Sequence, residues 1–425
     1  MAASRQIAPV LADVVAPGTP IAFAAYDGST AGSNDAAFRL RVRDERALNY
    51  MATAPGDLGL ARAYVAGYLD VEGDLFAALL TLAGENVASL TWSDRFKVLR
   101  SFGPRILRPI APPPEETRPG MWWGLRHSLE RDSRAISHHY DVSNKFYGWL
   151  LGPSMAYTCA VYPDPGATLE EAQEEKVDLV CRKLDLQPGQ RLLDVGCGWG
   201  TTVTHAARHY RVKALGVTLS RQQAEWGQKR IAEMGLADVA EIRHDDYRNV
   251  GETGFDAVSS IGLTEHIGAK NLPGYARFLA SKVRPQGRFL NHCITRPVTD
   301  SPARVGGFIN RYVFPDGELE AVGAIISAIQ DSGFEVRHEE NLREHYGQTC
   351  ADWGANLDSH WDDAVAEVGE AKARVWRLYL AASRLGFVQR RIELHQVLAV
   401  RTEDGLSGMP FRRLEFPRQR VFEGV

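Results

Sequence analysis

The stretch "SSIGLTEHIGAKN" (259–271) carries a short apolar run that stops at Thr264, Glu265 and His266. A carboxylate and an imidazole where a buried strand ends are groups that can hold or move a proton. Upstream, "LLDVGCGWG" sets Asp194, Gly196, Gly198 and Gly200 directly after another apolar strand. Glycine admits positive φ and lets a ligand approach the backbone, and in an open α/β sheet such a turn lies at the carboxyl edge, where ligands bind. The spacing is G-x-G-x-G after an apolar residue and Asp, which differs from the G-x-G-x-x-G dinucleotide fingerprint. On this turn alone, a plain βαβ turn and an NAD fold stay open.

The elements around these residues have a regular order. From about residue 135, strand-like runs ("QRLLDV", "VKALGVTLS", "AEIRHDDYR", "FDAVSSIGL", "GRFLNHCIT") alternate with helical ones ("TTVTHAARHY", "RQQAEWGQKRIAEMG", "LPGYARFLASKV"), and "RRIELHQVLAVR" reads as a last strand. Gly235 is placed as a helix stop. Strands alternating with helices predict an α/β fold with a parallel, doubly wound sheet. Residues 21–95 mix short strands and helices and read as a smaller α+β unit, residues 1–20 as a loose Ala/Pro-rich start, and 103–130 as a Pro/Arg-rich linker. The expected domains are therefore 1–102, a linker 103–130 and a catalytic domain 131–425.

Composition narrows the function classes. With 425 residues, 44% of them hydrophobic and 24% charged, the chain has ample material for more than one core. A net charge of −4 and the absence of an aromatic-flanked "NPPY"-type motif argue against nucleic acid as a partner. The cysteines (159, 181, 197, 293, 350) are odd in number and lack C-x-x-C pairs, against a disulfide framework or a metal site and for a reducing compartment. No signal-peptide pattern and no uninterrupted apolar run of about 20 residues is visible. The expected location is cytoplasmic, peripheral at the inner face of the membrane.

The Gly turn resembles motif I of class I S-adenosylmethionine (SAM) methyltransferases. The resemblance implies that Asp194, Gly196, Cys197, Gly198 and Gly200 cradle SAM. In "GVTLSRQQ" it places Thr218, Leu219 and Gln223 by the ribose and methionine parts, and in "HDDYR" it places Asp246 and Tyr247 by the adenine. Further stretches are narrower: "HHYDVSNKFYGWLLGPSMAYTCAVY" (138–162), "TLEEAQEEKVDLVCRKLDL", "EHIG", "RYVFPDGEL" (311–319) and "YGQTCADW" (346–353). Together they resemble the cyclopropane-fatty-acyl-phospholipid synthase family over nearly all of 130–400. "GDLGLARAYVAGYLDVEGDLFAALL" (56–80) resembles, more weakly, the lipid-binding domain of its longer members.

That family moves the SAM methyl to a cis double bond of an acyl chain. An alkene is a weak nucleophile and attacks the sulfonium methyl only when held in line in a dry pocket. The resulting carbocation must lose a proton. The resemblance implies a bound bicarbonate as the base. Its cradle would be Cys159, Glu265 sharing a proton with the anion, His292, the backbone N–H of Ile294, and Tyr346, with Tyr140 lining the same pocket. Tyr157 and Thr158 match SAM-contacting positions. A carboxylate beside an anion should have a raised pKa.

Three positions depart from the family pattern. Thr264 replaces a Phe and sets a hydroxyl near the expected cation, Tyr247 replaces a Trp, and Ser383 stands where many members carry a cysteine once considered a nucleophile. A covalent cysteine mechanism is therefore not expected. Two products stay open: a cyclopropane by direct ring closure, or, after a hydride shift, an exocyclic methylene of the tuberculostearic-precursor type that a reductase would then act on. The implied partners are unsaturated phospholipid acyl chains, a membrane surface met through the basic stretch 95–109, and a second copy in a homodimer. The alternatives are a SAM methyltransferase of a small molecule and a non-catalytic lipid-binding protein.

Overall fold

Phe38, Leu40 and Val42 alternate with Arg39 and Arg41, and the alternation makes a strand with its apolar face buried and its arginines out, paired with Glu72. This strand belongs to the first of two compact units in the computed structural model, which describes residues 6–15, 21–33, 35–54, 56–84, 100–117, 142–300, 306–315, 317–411 and 416. Tyr140, residues 95–99 of the basic stretch and residues 118–130 of the expected linker lie outside the described residues. The first unit gathers Met1–Met121, Gly306–Pro315 and Leu357–Leu385, and the second Trp122–Val305, Asp316–Asn356 and Gly386–Val425. The first unit thus takes in two late segments beyond the expected 1–102.

In the first unit, β1 (Ala22–Ala25), β2 (Thr30–Ala31), β3 (Phe38–Val42) and β4 (Leu69–Gly73) form a sheet in the order β2-β1-β3-β4. Helices Arg46–Thr53, Asp57–Val65 and Leu75–Gly84 accompany these strands, in keeping with the small α+β unit expected there. Ile21, Phe23, Tyr50 and Ala63 join the strand residues in one core. The loose start is corrected in part: Ile7–Val15 is a helix that buries Ile7, Ala8, Leu11 and Val14. Pro9 is tolerated there because a first-turn N–H has no helical acceptor.

The second unit carries β5 (Arg191–Val195), β6 (Lys213–Thr218), β7 (Ala240–His244), β8 (Phe255–Ile261), β9 (Val283–Thr295), β10 (Phe334–Asn341) and β11 (Glu393–Arg401) in one sheet. Its order is β10-β11-β9-β8-β5-β6-β7. β9 to β7 are mutually parallel, and β11 runs antiparallel to both β9 and β10. The doubly wound α/β expectation holds, with that one strand reversed. Alternate residues feed two cores: Leu193, Val195 and Val258 pack towards helices Leu272–Lys282 and Val322–Asp331, while Leu192, Ala257 and Leu290 pack towards helices Leu169–Leu184 and Thr201–Tyr210. Helix Arg221–Glu233 ends before Gly235, whose φ of +68° suits the expected stop. All five cysteines are free. Among the described residues, no helix is long and apolar enough to cross a membrane.

Candidate active site

The carboxyl ends of β5, β6, β8 and β9 collect the chemistry. After β5, Gly196, Gly198 and Gly200 have φ of +75°, +56° and +82°. At Gly200 a Cβ would sit 2.1 Å from Ile242 Cδ1, whereas at Gly198 nothing lies within 4 Å, so that backbone is open to a ligand. The N–H groups of Gly196 and Cys197 both donate to the Val217 carbonyl, at 2.9 and 3.0 Å, and tie the turn to β6. Asp194 is buried, accepts the Ser259 hydroxyl at 2.6 Å, and burial pushes its carboxyl up to about 6. At the end of β6, Thr218 Oγ1 donates to Gln223 Oε1 at 2.9 Å, and the Leu219 carbonyl accepts from His244 Nε2 at 3.2 Å.

Two expected adenine contacts have other engagements. Arg248 grips both Asp246 oxygens, at 2.7 and 2.8 Å, because the short turn Tyr247–Asn249 brings residue i+2 back over its own cap. The Tyr247 ring packs edge-on against Tyr275 and Phe278, both at 5.1 Å, at the rim of the core.

Glu265 stands in a short 3-10 turn, Thr264–His266, just past β8. Its Oε1 accepts the Ile294 N–H at 2.7 Å, and its Oε2 is buried without a hydrogen-bond partner. Burial, only partly offset by the Ile294 N–H, pushes the carboxyl up to about 7. The raised pKa expected from a neighbouring anion therefore already exists through desolvation. Ile294 itself differs from expectation: the N–H that the resemblance would aim at bicarbonate here anchors Glu265.

His292 lies on β9 beside Ile261 of β8, and its carbonyl accepts the Gly262 N–H at 2.8 Å. Its ring is buried, with Nδ1 3.1 Å from Gln396 Nε2 and Nε2 without a partner. Burial first, then Lys176 and Lys183, hold the imidazole well below its usual range, so it is neutral. Thr264 does not face this side. Its hydroxyl donates to Asn291 Oδ1 at 2.7 Å, and Asn291, one residue from His292, points to the other sheet face.

Cys159 is fully buried, and its thiol points at the carbonyls of Ala160 (3.1 Å) and Leu342 (3.7 Å). Burial pushes that thiol well up, so it stays protonated and is no nucleophile. The Ala160 N–H donates to Thr349 Oγ1 at 3.0 Å, which joins this segment to helix Arg343–Ser359. Tyr346 lies one turn earlier on that helix, stacked on Phe387 at 4.4 Å. Tyr157 packs between Trp353 (5.3 Å) and Tyr147 (5.8 Å), and Tyr147 meets Trp199 of the Gly turn at 4.8 Å. Thr158 sits against Gly262, where a Cβ would be 3.4 Å from Thr158 Cγ2.

Sequence reasoning missed Lys176, Lys183 and Gln396. Helix Leu169–Leu184 buries Ala172, Gln173, Lys176, Val180 and Lys183, so both lysines fall on the inward stripe at helical spacing. That was the available signal: a lysine on an apolar stripe must find a partner. Gln396 is a buried amide within the apolar run of β11, directly opposite His292.

Comparisons with known proteins agree with this arrangement. The family model "Mycolic acid cyclopropane synthetase" matches residues 127–397. A probable fatty acid methyltransferase of Mycobacterium tuberculosis is 56% identical over 403 residues, 92% of this chain and 94% of that protein. The cyclopropane-fatty-acyl-phospholipid synthase of Escherichia coli K12 is 32% identical over 357 residues, 83% of this chain and 85% of that one. Among solved structures, the M. tuberculosis cyclopropane synthase MmaA2 superposes with a TM-score of 0.60 at 30% identity, covering 64% of this chain and 98% of its own. The mycolic acid cyclopropane synthase CmaA1, complexed with SAH and CTAB, does so with a TM-score of 0.60 at 30% identity, over 63% and 97%. Together with these likenesses, a sheet of this order with an open glycine turn after its first strand places the chain among the SAM-dependent methyltransferases. Within that class, the chain belongs to the mycolic acid cyclopropane synthetase family.

Proposed function

We propose that this enzyme transfers the SAM methyl to the cis double bond of an unsaturated fatty acyl chain of a membrane phospholipid, and that Glu265 and His292 would hold a bicarbonate able to supply the base for proton loss. The reading is carried by two buried polar atoms without partners, Glu265 Oε2 and His292 Nε2. Buried polar atoms in native folds are almost always hydrogen-bonded, so a pair of orphans at the carboxyl edge marks a place for a polar guest. Their donor chemistry suits a small planar anion. A protonated Glu265 can donate to it and a neutral His292 can donate from a ring N–H, while the protonated Cys159 offers no charge to repel it. When bound, bicarbonate would supply a base too weak to be alkylated in place of substrate.

The chain's own residues do the rest. The Gly196–Gly200 turn and Asp194 bind SAM. Tyr147, Tyr157, Trp199 and Trp353 form one contiguous aromatic cluster, and rings of this kind stabilise positive charge brought over their faces. Glu265, held by the Ile294 N–H, would hold and orient the anion through a shared proton. The Thr264 hydroxyl, engaged by Asn291, takes no part. The cation then either closes directly to a cyclopropane or shifts a hydride and leaves a methylene. The water-insoluble substrate brings the enzyme to the membrane surface from the cytoplasmic side, as a homodimer. If the methylene forms, a reductase is the next catalyst.

Mass spectrometry of acyl chains after incubation with SAM and oleoyl phospholipid vesicles tests the reading. A product heavier by one CH2 supports it, and ozone then separates the products, cleaving a methylene and sparing a cyclopropane. Absence of any such product, with methylation of a small polar acceptor instead, would overturn it.

A further inference from the structure

His292 can serve the reaction in two opposite ways. With its proton on Nδ1, the free Nε2 is a lone pair, able to act as base. With its proton on Nε2, it is a hydrogen-bond donor. Three residues on one rung of the sheet decide between them. Glu340 of β10 pairs with Gln396 of β11, which pairs with His292 of β9. Lys183, from helix Leu169–Leu184, lies over that rung with its side chain buried. Its Nζ donates to Glu340 Oε2 at 2.5 Å and to Gln396 Oε1 at 2.7 Å.

The directions then follow by elimination. An ammonium has donors only, so the Gln396 oxygen must face Lys183. The Gln396 NH2 therefore faces His292 Nδ1, 3.1 Å away, and an amide NH2 has donors only. Nδ1 must accept. A neutral ring carries one proton, which leaves it on Nε2, the buried atom without a partner. We infer that Lys183 and Gln396 are positioning residues that lock His292 in its Nε2–H tautomer, so that His292 acts in the reaction as a hydrogen-bond donor and not as a base. This rests on the proposed anion reading for what His292 donates to, but the tautomer itself does not.

The chain of donors also explains why the lysine is buried. A lysine that only filled space would be replaced at no loss by an apolar residue of similar length, since burying an ammonium is costly. Glu340 gives it a counter-charge, and the amide passes its polarity on to the ring. Removing the outer hydrogen-bond partner of a metal-bound histidine costs roughly 10- to 100-fold, and a loss of that order is expected for a partner that fixes the tautomer of His292.

The test uses the full-length enzyme with 15N-labelled histidine. In the wild type, the His292 signals should show a protonated Nε2 and an unprotonated Nδ1. Gln396→Glu replaces the donating amide by a carboxylate, which accepts from Nδ1–H and should move the proton there. Lys183→Met releases the amide to flip and should give both tautomers. Each variant should lose roughly 10- to 100-fold in kcat, with SAM affinity by calorimetry within about twofold of wild type. Gln396→Glu should lose more than Lys183→Met, although it keeps Lys183 paired. A wild-type spectrum with the proton on Nδ1 overturns the inference. So does a normal kcat in both variants with only the melting temperature lowered, the pattern of a merely structural network. A rate indifferent to bicarbonate, with the Nε2–H signal present, would instead remove the anion reading and leave the tautomer assignment standing.

Discussion

Glu265 is easy to hold protonated and costly to hold charged, because burial outweighs the backbone N–H groups of Ile294 and of Glu265 itself that meet its carboxylate. Its folded carboxyl titrates at about 7, against 4.5 for the ordinary side chain. Below pH 4.5 both states bear the proton and the group contributes nothing to stability. As pH rises towards 7 the unfolded chain releases the proton and the folded one keeps it, so stability falls with rising pH and the full penalty is present above 7. Replacement by glutamine removes that slope. Relative to wild type, Glu265→Gln should therefore gain about 2 kcal/mol between roughly pH 5 and pH 8 in urea titrations. Parallel pH curves would sink the buried-acid assignment. The same variant should bind SAM normally and lose roughly 100-fold or more in turnover, since it can no longer share a proton. Near-normal turnover would remove Glu265 from the reaction. These two roles were visible in the sequence only through matched motifs, since a strand-end Glu is usually solvated. The Ile294–Glu265 anchor and the Lys183–Gln396–His292 chain were not visible, because each joins residues far apart in sequence through contacts that only folding makes.

At the scale of elements, the Gly turn is held from behind by helix Arg221–Glu233. Gly227 of that helix comes so close that a Cβ would sit 2.8 Å from the Trp199 carbonyl oxygen and 2.6 Å from Ile242 Cδ1. Inside a helix, Gly→Ala ordinarily stabilises by about 1 kcal/mol. Here the Trp199 backbone, part of the ligand turn, must move, and overpacking of this kind costs about 1–3 kcal/mol. Gly227→Ala should thus lower the melting temperature and weaken SAM binding several-fold. Gly235→Ala, at a φ of +68° with nothing within 4 Å, should cost about 1 kcal/mol and leave SAM affinity unchanged. Thermal melts and calorimetry on the pair check both, and equal SAM affinities would refute the turn-backing role of Gly227. The strands β5, β6, β8, β9 and β11 were legible because they are apolar runs between glycine or polar stops, and the edge strand β7 because buried Ala240 and Ile242 alternate with polar residues. β10 was not, since it is an edge strand whose residues 335–341 are only half-buried or exposed, as "EVRHEEN" suggests. Helix Arg343–Ser359 hid its stripe in mixed chemistry: Tyr346, Thr349, Cys350, Trp353 and Leu357 are buried at helical spacing, but two of the five are small and polar or sulfur-bearing.

For the whole molecule, the grouping of late segments with the start of the chain decides how the protein can be cut. The expected boundary near 102–130 suggests an N-terminal domain that folds alone, because a Pro-rich stretch looks like a linker. Yet the first unit includes Gly306–Pro315 and Leu357–Leu385. Glu116 is buried and gripped by Arg62 at 2.6 and 2.7 Å, and it also accepts the Tyr312 hydroxyl at 3.1 Å. The Phe308 N–H donates to Asp57 at 3.2 Å. Arg374, 6% exposed, reaches Asp70 and the Tyr64 carbonyl, both at 3.3 Å. A fragment of residues 1–121 would lose every one of these later partners and uncover Tyr64, over whose ring Arg374 lies, while keeping the Arg62–Glu116 pair. Single losses of buried charged partners cost about 3–5 kcal/mol, a large share of the 5–15 kcal/mol that holds a domain together. The fragment is therefore expected to lack a cooperative thermal transition and dispersed amide signals, whereas the full chain shows both. Circular dichroism melts and a two-dimensional NMR spectrum of the fragment decide this. A sharp transition in 1–121 would mean that Gly306–Pro315 and Leu357–Leu385 only rest on a domain already complete without them.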